Sequence, residues 1–306
     1  VNAAWQRYEG PTWLVAFAIY GGWVGLVLLH RFVPLALALP LGVYLTAWQS
    51  SLQHETIHAL RRVPRATRVA LALPPLGFWF PYQLYRREHE RHHATPELAA
   101  PQDPESFYHD AASWARMWAP LRALYVVNQT LAGRMVLGPA LLIGRVYANE
   151  GRRLLRGDAS NAGIAIGHCA LVAALATFLW WSGVNPLWYA AFVAYPAASL
   201  GLVRSFAEHR FALSPRERTV SVESRSLLSL LFLNNNLHTA HHAHPSLPWY
   251  ELPRHYRTHH ALRHNAPPLR GYRTVVRTWL VRPIDFPVKP VNNDMREQAL
   301  QLTRTR

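Results

Sequence analysis

Cysteine is almost absent from this 306-residue chain: Cys169 stands alone, which excludes an intrachain disulfide, a Cys-based zinc ribbon and an iron–sulfur cluster. Acidic residues are also scarce, 17 Asp and Glu against 32 Lys and Arg, giving a formal net charge of +15. A surface this basic suits nucleic acid or anionic lipid headgroups. No groove-reading motif accompanies the charge, so nucleic acid is not the expected partner. No internal repeat is evident, and the first apolar block lacks the short apolar region and small-residue cleavage site of a signal peptide. Any metal here must rest on histidine, of which there are 17.

Half of the residues are hydrophobic, and they lie in blocks. Residues 12–32 run apolar for roughly the 20 residues that cross a hydrocarbon core. A second block covers about 34–52, and the short link between the two permits only an antiparallel hairpin. Two further blocks, about 162–181 and 186–203, are joined by the uncharged turn S-G-V-N. Their Trp residues, such as Trp13, Trp23 and Trp48 in the first hairpin, suit packing and interface anchoring. The expected fold class is an all-α integral membrane protein with four transmembrane helices in two hairpins. Interfacial helices and a cytosolic cap, about 54–160 and 204–290, complete this single domain, and 291–306 is expected to be a flexible tail.

Arg61, Arg62, Arg65 and Arg68 follow the second span, and the positive-inside rule places that end and both termini in the cytoplasm. The expected location is a bacterial inner membrane. The stretch 69–85 is apolar but short and holds Pro74, Pro75 and Pro81, so it reads as re-entrant. Between 111 and 157, Arg116, Arg122, Arg134, Arg145, Arg152 and Arg153 interrupt apolar residues. That pattern predicts amphipathic helices lying on the cytoplasmic leaflet.

Histidine is concentrated where the spans end. H-E-T-I-H occupies 54–58, H-E-R-H-H occupies 89–93, and H-T-A-H-H occupies 238–242. Residues three and four apart share a helix face, so each box can present its imidazoles together. One H-x-x-H-H box arises by chance in roughly one chain of this histidine content in twenty; two boxes and an H-x-x-x-H pair form a strong signal. The topology brings all eight, His54, His58, His89, His92, His93, His238, His241 and His242, to one aqueous face, together with His209 after the last span. One ion takes four to six ligands, so nine imidazoles suggest two ions.

Other readings of these residues stay open at this point. H-E-T-I-H alone is the zincin pattern, with Glu55 as general base, but that leaves two boxes unexplained. A metal transporter would place ligands near the bilayer midplane rather than at span ends. Glu55, Glu90 and Glu208 each adjoin a box histidine and could orient a metal-bound imidazole or simply face solvent. Arg86, Arg87 and Arg210 are candidates for a substrate carboxylate or phosphate, against lipid headgroups or solvent. His168 lies within the third span, where an interhelical hydrogen bond is expected. His30 falls on the opposite side of the membrane. His244, His255, His259, His260 and His264 follow the third box as surface or nearby groups.

The three boxes, in that order and beside apolar spans, resemble those of the integral-membrane fatty acid desaturase and hydroxylase superfamily over about 45–253. N-N-N-L-H-T-A-H-H-A-H-P-S-L-P-W-Y and R-S-F-A-E-H-R look closest to its bacterial desaturase-like hydrocarbon oxygenase branch. The resemblance implies two non-haem irons held by the nine histidines, dioxygen as co-substrate, and oxidation of a fatty acid or lipid chain. Desaturation ranks first, ahead of decarboxylation of a free fatty acid to a 1-alkene and of hydroxylation. An external donor such as ferredoxin with its reductase is implied, since no flavin or haem site is encoded. Acyl-CoA desaturases of the family carry an Asn four residues before the equivalent of His209; Ser205 stands here, and Asn234, Asn235 or Asn236 is the candidate substitute.

Overall fold

A computed structural model describes residues 8–95, 98–212, 214–264 and 266–289, so the expected tail 291–306 lies outside the described residues. The first apolar block forms α1 (Gly10–Leu29), with a 3₁₀ turn to Phe32, and the second forms α2 (Leu35–His58). No Pro or Gly interrupts 43–58, so α2 continues past the expected end near 52 and carries the first histidine box itself. After α3 (Arg65–Ala72), α4 (Tyr82–Ala94) carries the second box. Short helices α5 (Ala111–Arg116) and α6 (Ala119–Val127) precede the long α7 (Leu131–Leu155). α8 (Ala162–Trp181) and α9 (Pro186–Glu208) form the last hairpin. Five short helices follow: α10 (Leu227–Leu231), α11 (His238–Ala243), α12 (Leu252–Thr258), α13 (Ala261–His264) and α14 (Tyr272–Trp279). Among the described residues, β structure is confined to isolated bridges. The chain is an all-α integral membrane protein.

Among the described residues five helices, not four, are long and apolar enough to cross a membrane: α1, α2, α7, α8 and α9. The addition is α7, where the arginine pattern predicts leaflet-bound amphipathic helices. The arginines mislead because two of them are used internally. Arg134 is buried with its guanidinium 4.0 Å from the centre of the Phe107 ring, and Arg145 reaches the same ring at 5.3 Å. Arg145 also donates to the Pro104 and Ser106 carbonyls, so one face of α7 clamps the loop around 103–107. A second correction concerns the third box, for which one helix from about Ser224 is expected. The helix breaks instead, because Leu233 and Asn234 adopt φ of 48° and 56°, a left-handed pair that Asn tolerates. Box three therefore starts a new helix, α11.

The chain leaves helical form inside the bundle after Ala72, and the carbonyls of 71–79 need donors that lipid cannot supply. Side chains from five helices supply them. Tyr20 of α1 donates to the Leu71 carbonyl (2.5 Å), and Gln53 and Gln49 of α2 donate to those of Ala72 (2.8 Å) and Pro74 (2.9 Å). Tyr147 of α7 serves Trp79 (2.9 Å), His168 of α8 bonds Phe78 (2.7 Å), and Tyr189 of α9 serves Leu76 (2.9 Å). The expected interhelical role of His168 thus takes the form of a bond to this segment. Ile19, Trp23, Leu52, Leu179, Tyr189 and Leu233 pack beneath it as the main apolar core. Elsewhere Pro139 deprives the Met135 carbonyl of its intrahelical donor, and the Ser199 hydroxyl of α9 donates to it at 2.6 Å. Such a bond stabilises by about 1 kcal/mol net.

Candidate metal centre

The helix ends converge on two groups of histidines. His54, His58, His89, His93 and His241 form one, and His92, His209, His238 and His242 form the other; within each, one ligating atom per residue lies within 4.8 Å of the rest. All nine residues singled out in the sequence are brought together, but each H-x-x-H-H box is divided. In box two His89 and His93 join the five-membered group and His92 the other; in box three His238 and His242 join the four-membered group and His241 crosses over. Helix geometry explains the division. At about 100° per residue, positions one and five of a box are ~40° apart, while position four lies ~60° to the other side. The His93 and His242 rings, stacked at 4.3 Å between centroids, mark where the groups meet.

These side chains fit a metal centre. They are largely buried, yet Nε2 of His58, His89, His92 and His242, both ring nitrogens of His54 and Nδ1 of His209 have no hydrogen-bond partner. Buried polar atoms are normally paired, so orphans pointing at shared points call for an ion. Nitrogens of different boxes approach closely, His238 Nε2 to His209 Nε2 at 2.8 Å and His241 Nε2 to His93 Nε2 at 3.1 Å. Burial favours neutral imidazole, the ligating form, and pulls His209 down to about 3 and His238, His241 and His242 well below their ordinary value. His92 is the exception. Burial lowers it, but the carboxylates of Glu105 and Asp103 more than offset that and raise it.

Those carboxylates were not singled out in the sequence. His89 Nδ1–H donates to Glu105 at 2.7 Å and His92 Nδ1–H to Asp103 at 2.8 Å, which leaves each Nε2 free to face an ion. Asp103 also accepts from the Ala99 and Glu105 backbone N–H groups at 3.0 Å, fixing its orientation. His92 as hydrogen-bond donor and positive partner lowers Asp103 despite its burial. The available signal was D-P-E at 103–105, two acids in an acid-poor chain shortly after a histidine box.

The three expected glutamates diverge. Glu208 is fully buried 3.1 Å from His238 Nδ1, not beside its sequence neighbour His209. Glu55 is buried, but its carboxylate accepts from the Trp249 backbone N–H at 3.1 Å and is not placed on an imidazole. Glu90 pairs with Arg86 at 2.7 Å with its side chain 48% exposed, the solvent-facing outcome. The amides of Asn234, Asn235 and Asn236 donate to the carbonyls of Trp249, Phe232 and Val222, and the Ser205 hydroxyl to that of Leu202. His30 bonds its own helix at Val27. His244 meets His255 edge-on and His255 stacks on His259, His260 is exposed, and the side chain of His264 lies outside the described residues.

A cavity of about 610 Å³ adjoins the centre. Ala47, Phe78, Trp79, Ala194, Ala197 and Ala198 line it within the bundle; Tyr85, Asp103, Glu105 and Arg204 line it on the metal side. Arg87, Arg91 and Arg153 also line it. Of the head-group candidates, Arg87 is on the cavity wall and bonds Asn161 at 2.9 Å, whereas Arg86 and Arg210 are not among the lining residues. Arg210 donates to the Glu217 carbonyl.

No curated protein and no solved structure matches the chain. The profile of the family described as fatty acid desaturase matches residues 30–273, which take in both histidine groups and the cavity wall. The chain belongs to the fatty acid desaturase family.

Proposed function

We propose that this protein is a membrane-bound oxidoreductase that uses dioxygen to oxidise the aliphatic chain of a fatty acid or lipid, with desaturation as its leading reaction. The division of nine histidines into adjoining groups of five and four carries this reading, because it provides two ion sites rather than one. Two irons are the ions proposed; when bound they supply dioxygen activation and hydrogen abstraction from an unactivated C–H bond.

The residues around them do the rest. Asp103 and Glu105 hold the tautomer and angle of His92 and His89, while His238 Nδ1 bonds the Asn235 carbonyl at 3.2 Å with Glu208 3.1 Å away. The cavity takes the chain and its apolar wall keeps water from the reacting carbons. Of the three head-group candidates read from the sequence, Arg87 alone lines the cavity, where Asn161 and Glu88 engage its guanidinium. Electrons come from an external carrier such as ferredoxin with its reductase, since a single cysteine cannot hold a cluster. The arginines at 61, 62, 65 and 68, which follow α2, support a cytoplasmic position for the centre in a bacterial inner membrane by the positive-inside rule.

The test is oxidation of saturated fatty acids by membranes containing the protein, with ferredoxin, its reductase and iron, followed by gas chromatography and mass spectrometry. An oxygen-dependent product that disappears in His54→Ala and His238→Ala is expected. A protein that binds iron and accepts electrons yet leaves every chain unchanged would overturn the reading.

A further inference from the structure

Five arginines line the cavity, and four of them are engaged at its walls. Arg87 bonds Asn161 and Glu88, Arg91 bonds Glu88, Arg153 pairs with Glu150 and Asp158, and Arg145 is held by two backbone carbonyls. The acids offset the charge of that rim. Arg204 differs in position. It stands on α9 one turn before Glu208, its side chain only 14% exposed, and that exposure opens on the cavity. Its Nε is 3.4 Å from Glu208, a carboxylate shared with His238, and the Tyr85 phenol is a second partner. A guanidinium has five N–H donors in a rigid fork, so these contacts leave donors on its cavity side.

Arg204 is also next to the metal layer: Glu208, 3.4 Å from its Nε, lies 3.1 Å from His238 Nδ1, and Glu105, bonded to His89, shares the cavity wall with it. A fixed cation beside two sites for cations is costly unless anions join it; Glu208 and Glu105 are the carboxylates that act on Arg204, and Glu105 is bonded to His89.

We infer that Arg204 is the anchor for a substrate carboxylate at the inner end of the cavity, which makes unesterified fatty acids the substrate class and carbons two and three the point of oxidation. The inference rests on the chain oxidation proposed above. With the carboxylate held at Arg204, the first C–H bonds near the histidines are those at carbons two and three, and the tail runs along Ala194, Ala197 and Phe78. Anchoring at the outer rim would put mid-chain carbons there instead. In every outcome one dioxygen is reduced, with two electrons from the chain, two from the external one-electron carrier and two protons from solvent. A 2,3-alkenoic acid forms with two waters, a 3-hydroxy acid with one water, or a terminal alkene with carbon dioxide and two waters.

Two measurements test this. The first is equilibrium binding to the purified iron-loaded protein, without reductant, of dodecanoate and of 1-dodecanol. Arg204→Gln should weaken dodecanoate by about 30-fold, the scale of a lost charged hydrogen bond, and leave the alcohol within about threefold. Arg204→Lys should restore part of the difference, and Arg87→Gln should change dodecanoate by less than about threefold. Equal weakening of acid and alcohol together with lost iron would assign Arg204 to holding Glu208 and overturn the inference. The second needs no variant: the position of oxidation in the wild-type product. Oxidation at carbons two and three, or a hydrocarbon one carbon shorter, is expected; a mid-chain double bond overturns the anchor while leaving the chain oxidation intact. Failure of the wild type to oxidise any chain, with Arg204-dependent binding of the acid intact, would instead overturn the function and keep the site.

Discussion

The two histidine groups are built differently. Four of the five members of the larger group are i, i+4 pairs on α2 and α4, and its one carboxylate partner is Glu105, which is 24% exposed. The smaller group depends on His209, which sits in extended backbone past the end of α9 and bridges to Thr219, and it has two fully enclosed carboxylates, Asp103 and Glu208. One group follows from helix periodicity, the other from how helix ends and a loop come together. The smaller group should therefore depend more on its surroundings for metal affinity and pH tolerance.

The largest effect is expected from the two histidines that leave their box for the opposite group. His92→Ala leaves three ligands and should remove one iron per protein and reduce turnover to below about 1% of wild type; His241→Ala leaves four and should retain more iron. Iron analysis after gel filtration reads this directly, and the reverse order would break the comparison. Next come the acids. Asp103→Asn should weaken iron binding by about 100-fold and Glu105→Gln by about 10-fold, measured by competition with a chelator.

Acidification should act through the depressed histidines. His209 titrates at about 3 when folded, against about 6.5 for an unperturbed imidazole. Between those values the unfolded chain binds more protons, so stability and iron retention are complete above about pH 6.5 and decline as the pH falls toward 3. His238, His241 and His242 act in the same direction, whereas His92, which is raised, opposes them. A thermal unfolding midpoint that does not fall between pH 6.5 and pH 4 would show that these imidazoles are not held neutral in the folded chain.

Smaller effects delimit the centre. Ser199→Ala should cost about 1 kcal/mol in thermal unfolding, by leaving the Met135 carbonyl beside Pro139 without its donor, with no change in bound iron. Glu55→Gln separates function classes: a zincin would lose all hydrolysis, whereas this protein should keep its iron, because Glu55 bonds a backbone N–H. Glu90→Gln should be the mildest, within about 0.5 kcal/mol, since it removes only an exposed pair with Arg86. A loss of iron in Glu90→Gln would extend the centre to the surface of α4.

Much of the architecture was legible because it follows from local rules. Span length, box spacing and the proline-broken stretch after α3 all express helix periodicity or bilayer thickness, which a sequence carries directly. The status of α7 was not legible, since a string cannot show that Arg134 and Arg145 turn inward to an aromatic ring and two carbonyls. Nor was the break at Leu233 and Asn234, whose left-handed backbone is held by contacts with residues as distant as Trp249.

By itself the sequence determined that the eight box imidazoles would gather at helix ends, because i, i+3 and i, i+4 spacing is a property of the helix they occupy, with His209 following the last span. Only the tertiary structure decided which histidine group each would join and which acid would lie beside it. His92 meets Asp103, eleven residues on, and His238 meets Glu208, thirty residues back. Those partners are chosen by where separate helices and loops pack, and nothing in the spacing of a box encodes that choice.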